Sequence, residues 1–153
     1  MEVTTEIYPM PAFPLLNVTD LAASARWYEA TLGFANIFTM PGPGGLPGLV
    51  HLRWAKYADL LIAGRPLTVA GPRGLGVTLT FGCWGTGTTV DDLAARAQAA
   101  GATILAGPAH TPWNTHECTI ADPDGYRLTF TEPVNMQQTM DQTIAQVVGT
   151  TGG

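Results

Sequence analysis

The chain has 153 residues, enough for one hydrophobic core and too few for two independent ones. Hydrophobic residues make up 46%, an ordinary share, but charged residues only 12%, about half the roughly 25% usual for soluble domains, so surface hidden in an oligomer is expected. A net charge of −5 and no run of Lys or Arg argue against nucleic acid and phosphate-rich membranes, which demand cationic contacts.

Residues 1–12, with Pro9 and Pro11, read as an irregular arm in which residues 3–8 could pair as a short edge strand. A compact apolar strand follows at 13–18, then a helix at 20–32 whose apolar residues Leu21, Ala25, Tyr28 and Leu32 recur at spacings of three to four. Gly33 ends that helix. Strands are expected at 34–39, 49–54 and 58–63, with the Pro/Gly-dense segment 41–48 a mobile loop. A connector at 65–74 leads to a strand at 76–82, a helix at 90–100 and strands at 103–106, 115–121 and 126–132. Asp122-Pro123-Asp124-Gly125 is a strong turn signal, because Pro presets one φ and Gly supplies a positive one. The polar tail 135–153 holds at most a short helix, with 149–153 frayed.

Val18-Thr19-Asp20-Leu21-Ala22-Ala23-Ser24-Ala25 reappears 72 positions later as Val90-Asp91-Asp92-Leu93-Ala94-Ala95-Arg96-Ala97, with six of eight positions identical. Each copy opens a helix leading toward a Gly and a strand. The echo implies one module used twice, 13–64 and 76–134, within a single domain at 13–134. The expected class is α+β: two βαβββ modules whose curled mixed sheets enclose a cavity. No stretch approaches the ~18 apolar residues of a membrane span, and the first residues lack a secretory pattern. Cys83 and Cys118 are too few for a disulfide scaffold, and neither lies in a Cys-x-x-Cys pair. A reduced, cytoplasmic protein is the expectation.

The order of Asp20-Leu21, Trp27-Tyr28, Leu32-Gly33-Phe34, Pro112-Trp113 and Asp122-Pro123-Asp124-Gly125-Tyr126 resembles the vicinal oxygen chelate superfamily. That group includes glyoxalase I, extradiol dioxygenases, fosfomycin-resistance enzymes and bleomycin-resistance proteins, and the resemblance spans residues 13–133. It implies the fold but no single chemistry. It also implies pairing of modules across a homodimer. The metalloenzymes of the superfamily hold a divalent ion at four strand positions, which fall here on Phe13, Leu61, Val77 and Thr129. None is a side chain that binds divalent metals well, so neither a metal nor any other cofactor is expected. A register slip would bring Asp59 near the second position, but one carboxylate does not make a site. His51, His110 and His116 show no ligand spacing, and only His116, after the Trp113 loop, is expected at the cavity rim.

Trp54, Trp84 and Trp113, with Phe38, fall at strand ends or in loops instead of the middle of core runs. By resemblance to bleomycin- and mitomycin-binding members, Trp113 and Phe38 would stack on a flat ligand and Asn114 would hydrogen-bond to it. The expected ligand contacts are therefore Phe38, Trp54, Trp84, Trp113, Asn114, His116 and Thr129. The leading function is metal-free sequestration of an aromatic small molecule, antibiotics included, by a homodimer. Its rivals are a glyoxalase- or dioxygenase-like enzyme of the same fold and a non-catalytic interaction module.

Overall fold

The computed structural model describes residues 4–10, 12–65 and 70–151. Eight strands and three helices follow in the order β1 (Leu15–Val18), α1 (Leu21–Trp27), β2 (Ala35–Pro41), β3 (Pro47–Ala55), β4 (Ala58–Gly64), β5 (Thr78–Gly82), α2 (Val90–Ala99), β6 (Thr103–His110), β7 (Thr115–Ala121), β8 (Arg127–Pro133) and α3 (Met140–Thr151). The strands form two sheets of four, ordered β1-β4-β3-β2 and β5-β8-β7-β6. In each sheet the first strand runs parallel to the last, and the other pairs are antiparallel. This is the βαβββ unit used twice, as the internal echo implies, and neither sheet closes into a barrel.

The two copies of the echo align on their apolar stripe and differ at the cap. Asp20 caps α1, its Oδ1 accepting from the Ala23 N–H at 2.9 Å. In the second copy the aligned Asp92 lies inside the first turn, and the cap is Thr89, whose hydroxyl oxygen accepts from the Asp92 N–H at 3.1 Å. Leu21 and Ala25 are buried in one helix, and Leu93 and Ala97 in the other.

Several boundaries move for local physical reasons. The first helix is α-helical only to Trp27; Tyr28–Leu32 is a π-helical turn ending at Gly33, φ +78°. Arg96 of α2 fixes that turn by donating to the carbonyls of Glu29 and Ala30, each at 3.0 Å. The 41–48 segment is a hairpin corner, not a loose loop, because Gly42 and Gly48 let two backbones touch: a Cβ on Gly42 would lie 2.9 Å from Gly48 Cα. β6 runs past the expected end at 106 to His110, with bulges that absorb Gly107 and Pro108. The tail holds a 12-residue helix through Gly149 to Thr151, longer than the short one expected. Residues 4–8 form no edge strand, since they cross the face of the first sheet instead; Val3 lies outside the described residues.

Alternation gives each sheet a helix-covered face and an open face. Leu52, Leu60 and Ile62 on one sheet, and Ile120, Leu128 and Phe130 on the other, are fully buried beneath their helices. The modules meet through these covered faces. Trp54 packs on Phe130 at 5.2 Å between ring centroids, Phe34 on Phe81 at 5.6 Å, and Phe81 stacks on Phe130 at 5.4 Å. Cys83 and Cys118 are free and buried in this core, where burial pushes the Cys83 thiol up to about 12. The open faces therefore point away from the joint between modules.

Candidate functional site

The open face of the first sheet is ordered by strand register. Leu15, Leu61, His51 and Phe38 lie side by side across β1, β4, β3 and β2, and Ala63, Leu49 and Met40 form the next row. Phe13, Leu15, Phe38 and Met40 are all exposed, with Phe38 at 56%. Contiguous exposed apolar surface of this kind marks a surface awaiting a partner or a ligand.

One end of that face is charged and covered. Asp59 receives Arg53 Nε at 2.9 Å and Nη2 at 2.8 Å, His51 Nε2 lies 2.6 Å from its Oδ2, and the Tyr8 hydroxyl donates to its Oδ1 at 3.1 Å. Burial pushes the Asp59 carboxyl up, but hydrogen bonds from Arg53 and His51 and the Arg53 charge outweigh it and hold the group below its ordinary value. Arg53 Nη1 also donates to the carbonyls of Thr4 and Glu6, and its guanidinium lies 4.3 Å from the Tyr8 ring centroid. Residues 4–8 are thus strapped onto the first sheet. Asp59, the stray carboxylate of the sequence, is fully engaged by these donors.

The open face of the second sheet is polar. Thr80, Thr129 and Thr119 share one row and Thr131 and Glu117 the next. The Thr119 and Thr129 hydroxyls are 2.7 Å apart. Glu117 Oε1 accepts from Thr115 Oγ1 at 2.7 Å, Trp113 Nε1 at 3.1 Å and Thr131 Oγ1 at 3.2 Å. Trp113, a residue 53% exposed, is thereby held at the edge of the hydroxyl-rich face. Trp84, just beyond β5, is 74% exposed and overhangs a groove of about 460 Å³ that also includes Pro14, Tyr57, Thr80 and Phe81.

The structure divides the sequence-derived residues into four groups. Phe38 stands on the open face of the first sheet, Thr129 and Trp113 on that of the second, and Trp84 at the rim. Trp54, Asn114 and His116 are engaged elsewhere. Trp54 is a core residue whose Nε1 donates to the Leu32 carbonyl at 3.1 Å, reaching only a 260 Å³ hollow beside Arg96 on the covered side. Asn114 pairs through both side-chain atoms with the backbone of Asn135, at φ +67°. His116 turns to the helix side, with Nε2 2.8 Å from Asp91 of α2 and its ring against His110. Sequence reasoning set His51 aside for want of ligand spacing and did not single out Glu117; the short Lys56-Tyr57 turn brings residues 51 and 59 together.

At the four positions to which the resemblance would assign a divalent ion, Phe13, Leu61, Val77 and Thr129, the residues present offer no fitting donor set. Phe13 and Leu61 line the same hollow as Asp59, Val77 precedes β5, and Thr129 lies beside Thr80. One hydroxyl and three apolar side chains bind divalent ions poorly. Among the described residues, no three His, Cys, Asp or Glu side chains cluster as a metal site, and no helix is long and apolar enough to cross a membrane.

A family model for the Glyoxalase/Bleomycin resistance protein/Dioxygenase superfamily matches residues 11–130, and the chain belongs to that superfamily. Among solved structures it is similar to TioX from Micromonospora sp. ML1, with 18% identity over 83% of this chain and 98% of that one and a TM-score of 0.63. It is also similar to TnmS3, an antibiotic binding protein from Streptomyces sp. CB03234, with 26% identity, coverage of 83% and 97% and a TM-score of 0.57. A glyoxalase/bleomycin resistance protein from the same Streptomyces strain shares 25% identity over 78% of this chain and 98% of that one, with a TM-score of 0.55. A search of curated proteins finds no match.

Proposed function

We propose that this protein is a metal-independent, cytoplasmic binding protein that sequesters an aromatic small molecule, and that its working form is a homodimer. The observation that carries the reading is the pairing of unlike open faces. One is apolar and ends in Phe38, the other is hydroxyl-rich and edged by Trp113, and both point away from the joint within the chain. Bringing the first sheet of one copy against the second sheet of another would enclose a ligand between rings with polar groups beside it, and would cover the exposed apolar row. The domain at 13–134 supplies both walls, with the arm 1–12 and tail 135–153 as flanking segments.

Similarity to an antibiotic binding protein supports antibiotics as the first class to test. Two aromatic contacts would contribute about 0.5–1.5 kcal/mol each beyond area burial. The negative net charge favours a cationic or neutral ligand over an anionic one. Titration with a panel of planar antibiotics, followed by tryptophan emission, tests the reading: saturable quenching by protein free of metal on elemental analysis is expected. Stoichiometric metal bound by the purified protein, or no quenching by any planar compound, would overturn it.

A further inference from the structure

We infer that His51 is a directional hydrogen-bond acceptor that selects, among the aromatic ligands proposed above, those carrying a hydroxyl or N–H donor on the ring edge. The inference rests on the sequestration reading and adds the chemical class of its ligand.

The orientation of the imidazole follows from Asp59. Four donor groups converge on that carboxylate: Arg53 through two nitrogens, the Tyr8 hydroxyl and His51 Nε2. A carboxylate paired with a buried guanidinium is an acceptor only, so the His51 nitrogen 2.6 Å away must carry its proton toward it. In the neutral ring the lone pair then lies on Nδ1. Among the described residues, Nδ1 has no hydrogen-bond partner, and the side chain keeps 25% of its surface exposed.

The surroundings state what Nδ1 can receive. His51 lines a cavity of about 240 Å³ whose other walls are the apolar Met10, Phe13, Leu60 and Leu61 with Tyr8 and the Asp59 carboxylate. An apolar cavity of about 150 Å³ is enough to hold benzene, so one substituted ring fits here. The Asp59 carboxylate at its wall is taken up by the donors of Arg53, Tyr8 and His51, so the hollow offers a ring one free acceptor, His51 Nδ1. A ligand with a ring-borne donor satisfies both, whereas an ether at the same place leaves the acceptor without a partner, which a desolvated site penalises.

Phenol and anisole, which differ only in that donor, are the probes. The full-length protein, labelled with ¹⁵N-histidine, is examined by long-range proton–nitrogen NMR at about pH 8. His51 is expected to carry its proton on Nε2 in the free protein, and phenol is expected to shift Nδ1 saturably. Phenol should bind about five- to tenfold more tightly than anisole. His51→Phe should abolish that preference while both probes still bind, and His51→Gln, which keeps an acceptor, should retain part of it. A proton on Nδ1 in the free protein, or equal affinity for the two probes, would overturn the inference. If larger planar compounds still quench tryptophan emission in that case, sequestration stands and only the selectivity is lost; if neither probe nor any planar compound binds, both fall.

Discussion

The Tyr28 hydroxyl donates to Asp122 Oδ2 at 2.8 Å, joining the helix of the first module to the last turn of the second across 94 positions of chain. That turn is the Asp-Pro-Asp-Gly-Tyr segment, and every polar residue in it reaches out. Asp124 accepts from the Thr19 N–H at 3.1 Å and pairs with Arg73, while the Tyr126 hydroxyl donates to the Asn17 carbonyl at 2.9 Å. Asp122 Oδ1 meanwhile accepts from the N–H groups of Asp124 and Tyr126. A motif that reads as a hairpin turn is therefore also the clasp between modules.

Tyr28→Phe leaves a buried carboxylate oxygen without its donor and is expected to destabilise the fold by about 1–3 kcal/mol, read as a lower urea midpoint. Burial raises the Asp122 carboxyl above its ordinary value against the pull of these hydrogen bonds. An acid raised in the folded state costs stability as pH climbs from its unfolded value, about 3.9, through the folded one. Removing the Tyr28 donor should deepen that loss, so the deficit of the variant grows over this range.

Asp59 titrates with the opposite sign. Its carboxyl is lowered in the fold, so its contribution is complete above about pH 3.9 and is lost as pH falls through the lowered value. Asp59→Asn should remove that part of the acid dependence. It should also cost about 3–5 kcal/mol at neutral pH, because Arg53 is left buried without its counter-charge. Urea titrations of both proteins at several pH values check the two statements together.

Trp113→Ala should weaken binding of a planar antibiotic roughly two- to tenfold, the equivalent of one aromatic pair. The ring is half exposed and its anchor Glu117 keeps two threonine donors, so the urea midpoint should not move. Calorimetric titration is the suitable readout, since the substitution removes one of the four fluorophores.

Phe38→Asp puts a charge in the middle of the exposed apolar row. The wild type is expected to sediment as a dimer at micromolar concentration and the variant as a monomer, with ligand affinity lost in step. A wild type that sediments as a monomer defeats the two-chain hollow.

Much of the fold was legible because local rules and global packing agree. The stripe Leu21, Ala25, Tyr28, Leu32 is buried as its spacing implies, and the Asp20 cap and the turn at 122–125 are where their side chains place them. Less legible was whatever depends on long-range contact. Nothing local announces a π-helical turn that Arg96 holds from 66 positions away, or a strand that continues through Gly107 and Pro108 because β7 pairs with it. The site was half legible. Phe38 and Trp113 stand on open faces, but a tryptophan near a strand end looks the same in sequence whether it faces outward or, like Trp54, inward onto Phe130. The two-residue turn between alternating strands makes His51 and Asp59 diagonal neighbours, but the hairpin's register, irregular between Arg53 and Ala55, is not fixed by spacing along the chain.

The two walled-in sulfurs give the molecule a built-in clock. With Cys83 held far from ionisation and Cys118 wholly covered, a thiol-trapping reagent can modify them only when the core opens. The pace of trapping then counts excursions to the open form, and any compound that settles into the hollow slows it in proportion to its occupancy.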